Sequence, residues 1–438
     1  SDTNKRKFSK YNNVLQKRLA SAENQYYLDI LNNKYTSNFK FWKTFGSVLN
    51  PSKQKKQTRI TKIIFDNKEY SEPKDISNAF NNYFSTVGQK LNRTFPNNNS
   101  DFKRYMKYNS VHSIYMHPVD RCEVINEISK LDKNKSSGPD DIPPKVIKHA
   151  SEHIAEVLTH IYNTSITQGV YPDLLKISEV IALYKKGTKF VPDNYRPISL
   201  LDVFDKIYEK LIYKRMVVFL NKHNMLFQFQ FGFREGHSTT LALTEIIDNI
   251  KNSIDNNQYT IGIFLDFCKA FDTVDHSILL QKLKYYGIRG NAHSLLSSYL
   301  TGRTQFTLIN NVKSDLASNA FGVPQGSVLG PLLFLIYIND IQFCIPDKHT
   351  RLFADDTGIF VSGNNLFSII ESSQAILNKL EAWFICNKLT ISVSKCAWMI
   401  FHGKNKRIPD VIPGLYLSGV EMTKVDSYKY IGLILDSK

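Results

Sequence analysis

Apolar residues recur along this chain with two periods, and the two periods alternate. Helical spacing (about 3.6 residues) puts Ile76, Phe80, Tyr83, Phe84 and Val87 on one face of a helix predicted over Asp75 to Leu91. The same spacing predicts helices near Arg121–Leu131, from Ile154 to Gln168 with Gly169 as a stop, and from Val203 to about Leu220. Leu243, Ile246, Ile247, Ile250 and Ile254 form a stripe on another helix, which Ser238 or Thr239 can cap. After Asp272 a helix is expected to run through Ile278, Leu279, Leu280 and Leu283 to Gly287, and another spans about Phe367 to Asn387. Between these lie short β-branched and aromatic runs: Thr61 to Phe65, Ser178 to Tyr184, Ile261 to Leu265, Gln305 to Ile309 and Ser318 to Val323. Helices and strands mixed in this way predict an α+β fold.

Two acids interrupt the apolar pattern. Thr350-Arg351-Leu352-Phe353 and Thr357 to Val361 read as the arms of a hairpin, with Asp355 and Asp356 at its tight turn. An isolated Asp-Asp turn is ordinarily a solvated turn. A second acid changes that: Ile261 to Leu265 is an apolar strand that ends in Asp266, and Phe267 to Asp272 leads towards a helix. Carboxylates held close together repel, and a divalent cation removes the repulsion. An acid at a strand end beside an acid pair at a hairpin turn suits two cations that stabilise the attacking and leaving oxygens of a phosphoryl transfer.

At these residues the chain resembles the reverse transcriptases of non-LTR (LINE-type) retrotransposons, jockey-like ones in particular. Phe353-Ala354-Asp355-Asp356 resembles that family's F/Y-x-D-D box, Leu265-Asp266 to Phe271-Asp272 its first aspartate motif, and Gly322-Val323-Pro324-Gln325-Gly326-Ser327 its nucleotide-pocket motif. Lys135 to Pro143, Lys185-Lys186-Gly187 with Tyr195-Arg196-Pro197-Ile198-Ser199-Leu200, and Gln230 to Thr239 resemble further blocks. So do Leu389 to Cys396 and Tyr428 to Asp436, all in the family's order and spread over roughly residues 110–435. Ser392 departs from the pattern, standing where Asn is usual.

The resemblance implies roles. Asp266, Asp355 and Asp356 would be catalytic and hold metal, with the main-chain carbonyl of Phe267 a further ligand. Arg196 would clamp the triphosphate, with Lys185 a second cation; Arg offers a planar fork to phosphate oxygens and Lys a point charge. Phe271 would be a steric gate against a ribose 2′-hydroxyl, or, on the plainer reading, a core ring. Gln325 and Gly326 would approach the sugar and base. Lys395 would donate a proton to, or stabilise, departing pyrophosphate, or else be a surface lysine. Asp140 and Asp141 read as turn and cap residues, and His237 as structural. Arg234 divides between a template-backbone contact and a salt bridge.

Bulk properties fit this picture. The 438 residues carry a net charge of +16, which favours a polyanionic partner. The longest apolar run, Val328 to Ile338, contains Gly330 and Pro331 and is too short to span a bilayer. Five cysteines without a C-x-x-C pair read as reduced and intracellular. The chain starts without Met and reads as a fragment of a longer protein.

The resulting expectation is a right-hand polymerase core of fingers and palm, the palm an antiparallel sheet packed on helices, with the thumb absent. Residues 1–57 would be a basic aromatic extension in contact with nucleic acid or simply solvated. Residues 58–110 would be a helical connector, 111–257 mainly fingers passing into palm, and 258–438 mainly palm with the acid and primer-grip hairpins. The implied activity is RNA-directed DNA polymerase, a nucleotidyltransferase and transferase of a transposable element. It would use Mg²⁺, with Mn²⁺ as substitute. Its partners would be an RNA template, a DNA primer and dNTP, with no membrane and an oligomeric state left open. Its place would be nuclear for target-site synthesis and cytoplasmic when assembling with RNA. The alternatives are a degenerate element protein that binds RNA without polymerising, an RNA-dependent RNA polymerase, or an intron maturase. The bulky Phe271 favours dNTP use.

Overall fold

The computed structural model describes residues 11–19, 21, 22, 25, 60–95, 101–107, 109–345, 349–404 and 406–437. The chain divides at Ile60 into two units. In the first, residues 11–19 are helical, and Leu15 and Leu19 lie exposed. Apart from residues 21, 22 and 25, the remainder of the basic aromatic stretch, with its expected linker at Pro51 to Gln57, lies outside the described residues, as does the expected loop Asn97–Ser100.

The second unit is organised on a central sheet of five strands. Its middle strand is β5 (Tyr259–Leu265), flanked by β10 (Asp356–Gly363) and β11 (Ala397–Phe401). Both neighbours run antiparallel to β5, with Ile263 opposite Ile359 on one side and Trp398 on the other. Beyond β10 lies β9 (Thr350–Phe353), and beyond β11 lies β14 (Thr423–Lys424). From Ile261 to Leu265 β5 carries no polar side chain, as suits a strand buried on both faces. Ile261, Ile263 and Leu265 join the main core, which includes α10 (Leu366–Cys386). Phe264 faces the other way, onto Ile246 and Ile250 of α6 (Thr239–Asp255).

The antiparallel expectation holds except at the β14 edge, which pairs parallel with β11. After β11 the chain makes the hairpin β12 (Tyr416–Leu417) and β13 (Val420–Glu421), then returns in the same direction. A last hairpin, β15 (Ser427–Tyr430) with β16 (Leu433–Asp436), leans on the sheet, Tyr428 stacking on Phe264 at 4.3 Å.

A second sheet is built from β3 (Ile177–Tyr184), β4 (Tyr195–Leu200), β6 (Thr304–Ile309), β7 (Val312–Lys313) and β8 (Ala317–Ser318). β3 and β4 form a long antiparallel hairpin, while β3 and β6 pair parallel. On β6 packs α1 (Pro73–Asn92), whose Asn81 donates to the carbonyls of Gln305 (3.3 Å) and Asp315 (2.7 Å). Ahead of it stands a small hairpin, β1 (Ile63–Phe65) with β2 (Lys68–Tyr70).

Seven further helices contribute to the main core: α2 (Arg121–Ser129), α3 (Pro144–His149), α4 (Ser151–Gln168), α5 (Val203–Lys222), α7 (His276–Tyr285), α8 (Gly290–Leu300) and α9 (Leu329–Ile338). α9 is apolar all round and nearly every residue is buried, as for a helix at the centre of a core. Gly169 ends α4 in the left-handed conformation (φ 67°).

The helix expected after Asp272 through Ile278, Leu279, Leu280 and Leu283 is α7; Asp275 caps its start by accepting from the N–H groups of Ser277 and Ile278, and it ends at Tyr285, just short of Gly287. One element expectation fails. The strand expected over Ser318 to Val323 stops at Ser318. Asn319 N–H donates to the Arg303 carbonyl, and Gly322 turns to φ 79° so that its N–H can reach the Val274 carbonyl at 2.8 Å. Main-chain bonds to a loop from another part of the chain replace the sheet ladder there.

Candidate active site

Asp266 leaves the end of β5, with its carboxylate partly open to solvent. Its carbonyl accepts from Ser392 N–H at 2.9 Å, and its N–H points at Cys396 Sγ (3.4 Å). The segment carrying Lys395 is thereby tied to the acid, and Lys395 Nζ lies 3.7 Å from Asp266 Oδ1. Ser392 acts here through its main chain.

The β9–β10 turn is tighter than expected. Its two central residues are Ala354 and Asp355, while Asp356 already pairs with Phe353 as the first residue of β10. Ala354 is held at φ 55°, a left-handed conformation that an L-residue adopts at a cost. Gln230 supplies the restraint: its Oε1 accepts from the N–H groups of both Ala354 and Gly232 at 2.9 Å. Phe231 N–H donates to the Leu352 carbonyl, and a Cβ on Gly232 would lie 2.3 Å from Ala354 N. The Gln230 to Thr239 block therefore braces the acid turn. On the other side Tyr430 Oη donates to the Arg351 carbonyl (3.3 Å), bringing the β15–β16 hairpin against the same strands.

The three acids act on one another. Burial, with Asp266 adding, pushes the Asp355 carboxyl up, against the pull of Arg196 and Lys185. Asp356 is pushed up to about 6 by desolvation, then by Asp355 and Asp266. Lys185 is pushed down by burial and by Arg196 and Lys395, with Asp266 opposing. So three carboxylates and three cations from distant parts of the chain share one space. Among the described residues no three His, Cys, Asp or Glu groups already close into a metal cage. The donor set nevertheless suits a hard divalent cation: carboxylate oxygens under mutual repulsion that added positive charge relieves.

Arg196 stands on β4 with its side chain exposed, and Lys185 follows β3, its N–H bonded to the Asn194 carbonyl at 2.9 Å. β4 reaches the Gly322–Ser327 loop through Ser199, whose N–H donates to the Gln325 carbonyl at 2.7 Å. Gly326 is required at its place. Its φ is 125°, and a Cβ there would lie 2.5 Å from the Ser199 carbonyl oxygen. Phe271 stacks on Phe334 (4.5 Å between ring centres) and stays only partly buried, while its carbonyl accepts from Val323 N–H. Phe334 thus covers one face of Phe271 and Phe233 meets the ring edge-on at 6.0 Å, while part of it stays exposed. Phe267 buries its ring against Phe384, so only its main chain can serve the site.

Residues expected to be structural take such positions. Asp140 Oδ1 accepts from Ile142 N–H, and Asp141 sits at φ 56° in the turn. Arg234, divided between a template contact and a salt bridge, instead donates to the Phe227 carbonyl at 2.7 Å as a main-chain brace. Ser238 caps α6 through Leu241 N–H. Sequence reasoning missed Gln230 and Glu209. Buried Glu209 accepts from Val328 N–H (2.6 Å) at the start of α9 and from Tyr299 Oη (2.6 Å). Gln230 opens a block that the sequence singled out, but its reach to Ala354 across 124 residues left no local trace, and no pattern marks Glu209, whose partners Tyr299 and Val328 are far away in the chain.

Comparison with known proteins shows the family. The profile of the reverse transcriptase (RNA-dependent DNA polymerase) family matches residues 183–435. The RNA-directed DNA polymerase from mobile element jockey of Drosophila melanogaster is 31% identical over 334 residues, covering 74% of this chain and 36% of that protein. A probable RNA-directed DNA polymerase from transposon BS of the same organism is 30% identical over 340 residues, with the same coverage. A Pol polyprotein from the type-2 retrotransposable element R2DM is 23% identical over 323 residues (70% and 29%). The chain spans 36% of the length of the first two of these relatives.

Proposed function

Because the chain belongs to the reverse transcriptase (RNA-dependent DNA polymerase) family, we propose that it is the RNA-directed DNA polymerase of a jockey-like, non-LTR retroelement. The observation that carries this reading is the meeting of Asp266, Asp355 and Asp356 with Arg196, Lys185 and Lys395 where β5 ends beside the β9–β10 turn.

In the reaction the primer 3′-oxygen forms a bond to the α-phosphorus of a dNTP, the bond to pyrophosphate breaks, and the hydroxyl proton leaves. Such chemistry depends mostly on positioning and charge stabilisation. Asp266 and Asp355, supported by Asp356 and the Phe267 carbonyl, would hold divalent cations, Mg²⁺ by preference and Mn²⁺ as a substitute. Those ions supply charge stabilisation at the phosphate when bound. Arg196 and Lys185 grip the triphosphate from the β3–β4 hairpin. Lys395 stabilises or protonates the departing pyrophosphate, and its ion pair with Asp266 keeps it at the site beforehand. Phe271 presents the exposed part of its ring to the sugar.

The template is RNA, the primer DNA, and the protein works in the nucleus during target-site synthesis and in the cytoplasm while assembling with RNA. The +16 net charge supports a polyanionic partner, and among the described residues no helix is long and apolar enough to cross a membrane. Single-nucleotide primer extension tests the clamp. Arg196→Ala should raise KM for dNTP by about tenfold or more, the scale of a lost charge-assisted contact. A wild-type KM in that variant would remove Arg196 from the role.

A further inference from the structure

Asp272 has no part in the chemistry above, yet the loop that carries Gln325 is assembled around it. Its Oδ1 accepts a hydrogen bond from Gln325 Nε2 at 2.8 Å. Its main chain is enclosed from two sides. A Cβ on Gly88 of α1 would lie 2.2 Å from the Asp272 carbonyl oxygen, and one on Gly322 would lie 2.9 Å from its Cα. Asp272 Oδ2 is buried without a protein partner. Asp272, Arg303 and Asn319 line one cavity of about 40 Å³, and Arg303 Nε and Nη2 and Asn319 Oδ1 are likewise buried without a partner.

The chemistry of the pair fixes a direction. An ionised carboxylate only accepts hydrogen bonds, so it can engage only the nitrogen of the Gln325 amide. The Gln325 main chain is fixed as well, through Ser199 N–H. With Nε2 held on the Asp272 side, the amide oxygen is turned away from that carboxylate and is the acceptor left to meet a ligand. We infer that Asp272 is a positioning residue that holds Gln325 with Oε1 as its free acceptor, turned to a donor on the incoming nucleotide, a sugar hydroxyl or a base amine. This rests on the polymerase reading above. Burial pushes Asp272 up to about 6, so the carboxylate form still prevails at pH 8. A plain brace between α1 and the 322–326 loop would need the enclosed main chain of Asp272 but not its carboxylate.

The test is single-nucleotide primer extension by wild type, Asp272→Asn, Gln325→Ala, Gln325→Glu and the two doubles, with circular dichroism to confirm folding. Asp272→Asn lets the Gln325 amide turn over. It should raise KM for dNTP by about tenfold, the scale of one hydrogen bond to a charged group, and change kcat much less. In the Gln325→Ala background the same change should add little, because the two side chains act as one unit. Gln325→Glu sets two carboxylates against each other and should raise KM. Adding Asp272→Asn exchanges donor and acceptor and should bring KM back down, and this arm stands even if the single Asp272→Asn protein folds poorly. Equal cost of Asp272→Asn with and without the Gln325 side chain, or no rescue of Gln325→Glu, overturns the inference. A wild type that extends no primer overturns the polymerase reading and this inference together, whereas an active wild type with additive costs overturns the inference alone.

Discussion

Desolvation at the acid turn, with Asp355 and Asp266 adding, moves Asp356 from an ordinary 3.8 up to about 6. The folded value is raised, so the ionised form is the penalised one. The penalty is absent well below pH 3.8, grows between 3.8 and 6, and is fully present above. At 1.36 kcal/mol per pH unit the whole displacement corresponds to about 3 kcal/mol. The side chain is exposed, so screening by water reduces this to about 1 kcal/mol. Asp356→Asn removes the charge while keeping the shape. The variant should therefore be more stable than wild type at pH 8 in EDTA, by about 1–2 °C in Tm for a chain of this size. By linkage the gain should shrink to about a third at pH 4.5. Millimolar Mg²⁺ should then stabilise wild type more than the variant, since ligand bound to the native state adds stability by mass action. Differential scanning calorimetry at the two pH values, with EDTA or Mg²⁺, measures all of this without any need for turnover. No gain at pH 8, or a gain independent of pH, would refute the reasoning.

Three further outcomes are expected. Phe271→Ala should raise ribonucleotide incorporation in competition with dNTPs, and unchanged sugar selectivity would sink the gate assignment. Lys282→Met leaves Asp340 buried without the ammonium that now sits 2.7 Å away, at a cost of about 3–5 kcal/mol in urea denaturation. A loss below about 1 kcal/mol would show that the pair is not needed. Gly326→Ala puts a Cβ 2.5 Å from the Ser199 carbonyl at a φ of 125°, so stability should fall by about 1–3 kcal/mol and KM for dNTP should rise. Kinetics like those of wild type would contradict the close approach of β4 to that loop.

What could be read in the sequence was whatever depends on near neighbours. The apolar run Ile261–Leu265 in β5, the αL glycine after α4 and the stripe on α6 are local signals, and each element appeared close to its expected place. The candidate acids and cations were found by motif, and the fold brings them into one space. Contacts across long stretches of chain left no such trace. Gln230 reaches the acid turn from 124 residues away, and Lys282 meets Asp340 across 58. The failed strand after Ser318 has the same cause: the periodic pattern was present, but Arg303 and Val274 offered its backbone other partners. The adjacent aspartates were also placed one residue too generously in the turn, because spacing alone does not say which residue takes φ 55°.

The most direct measurement is primer extension on an RNA template with dNTPs and Mg²⁺, wild type beside Asp355→Asn. The account predicts extension by the wild type and none by the variant. Equal extension by both proteins would contradict the acid site at the β9–β10 turn.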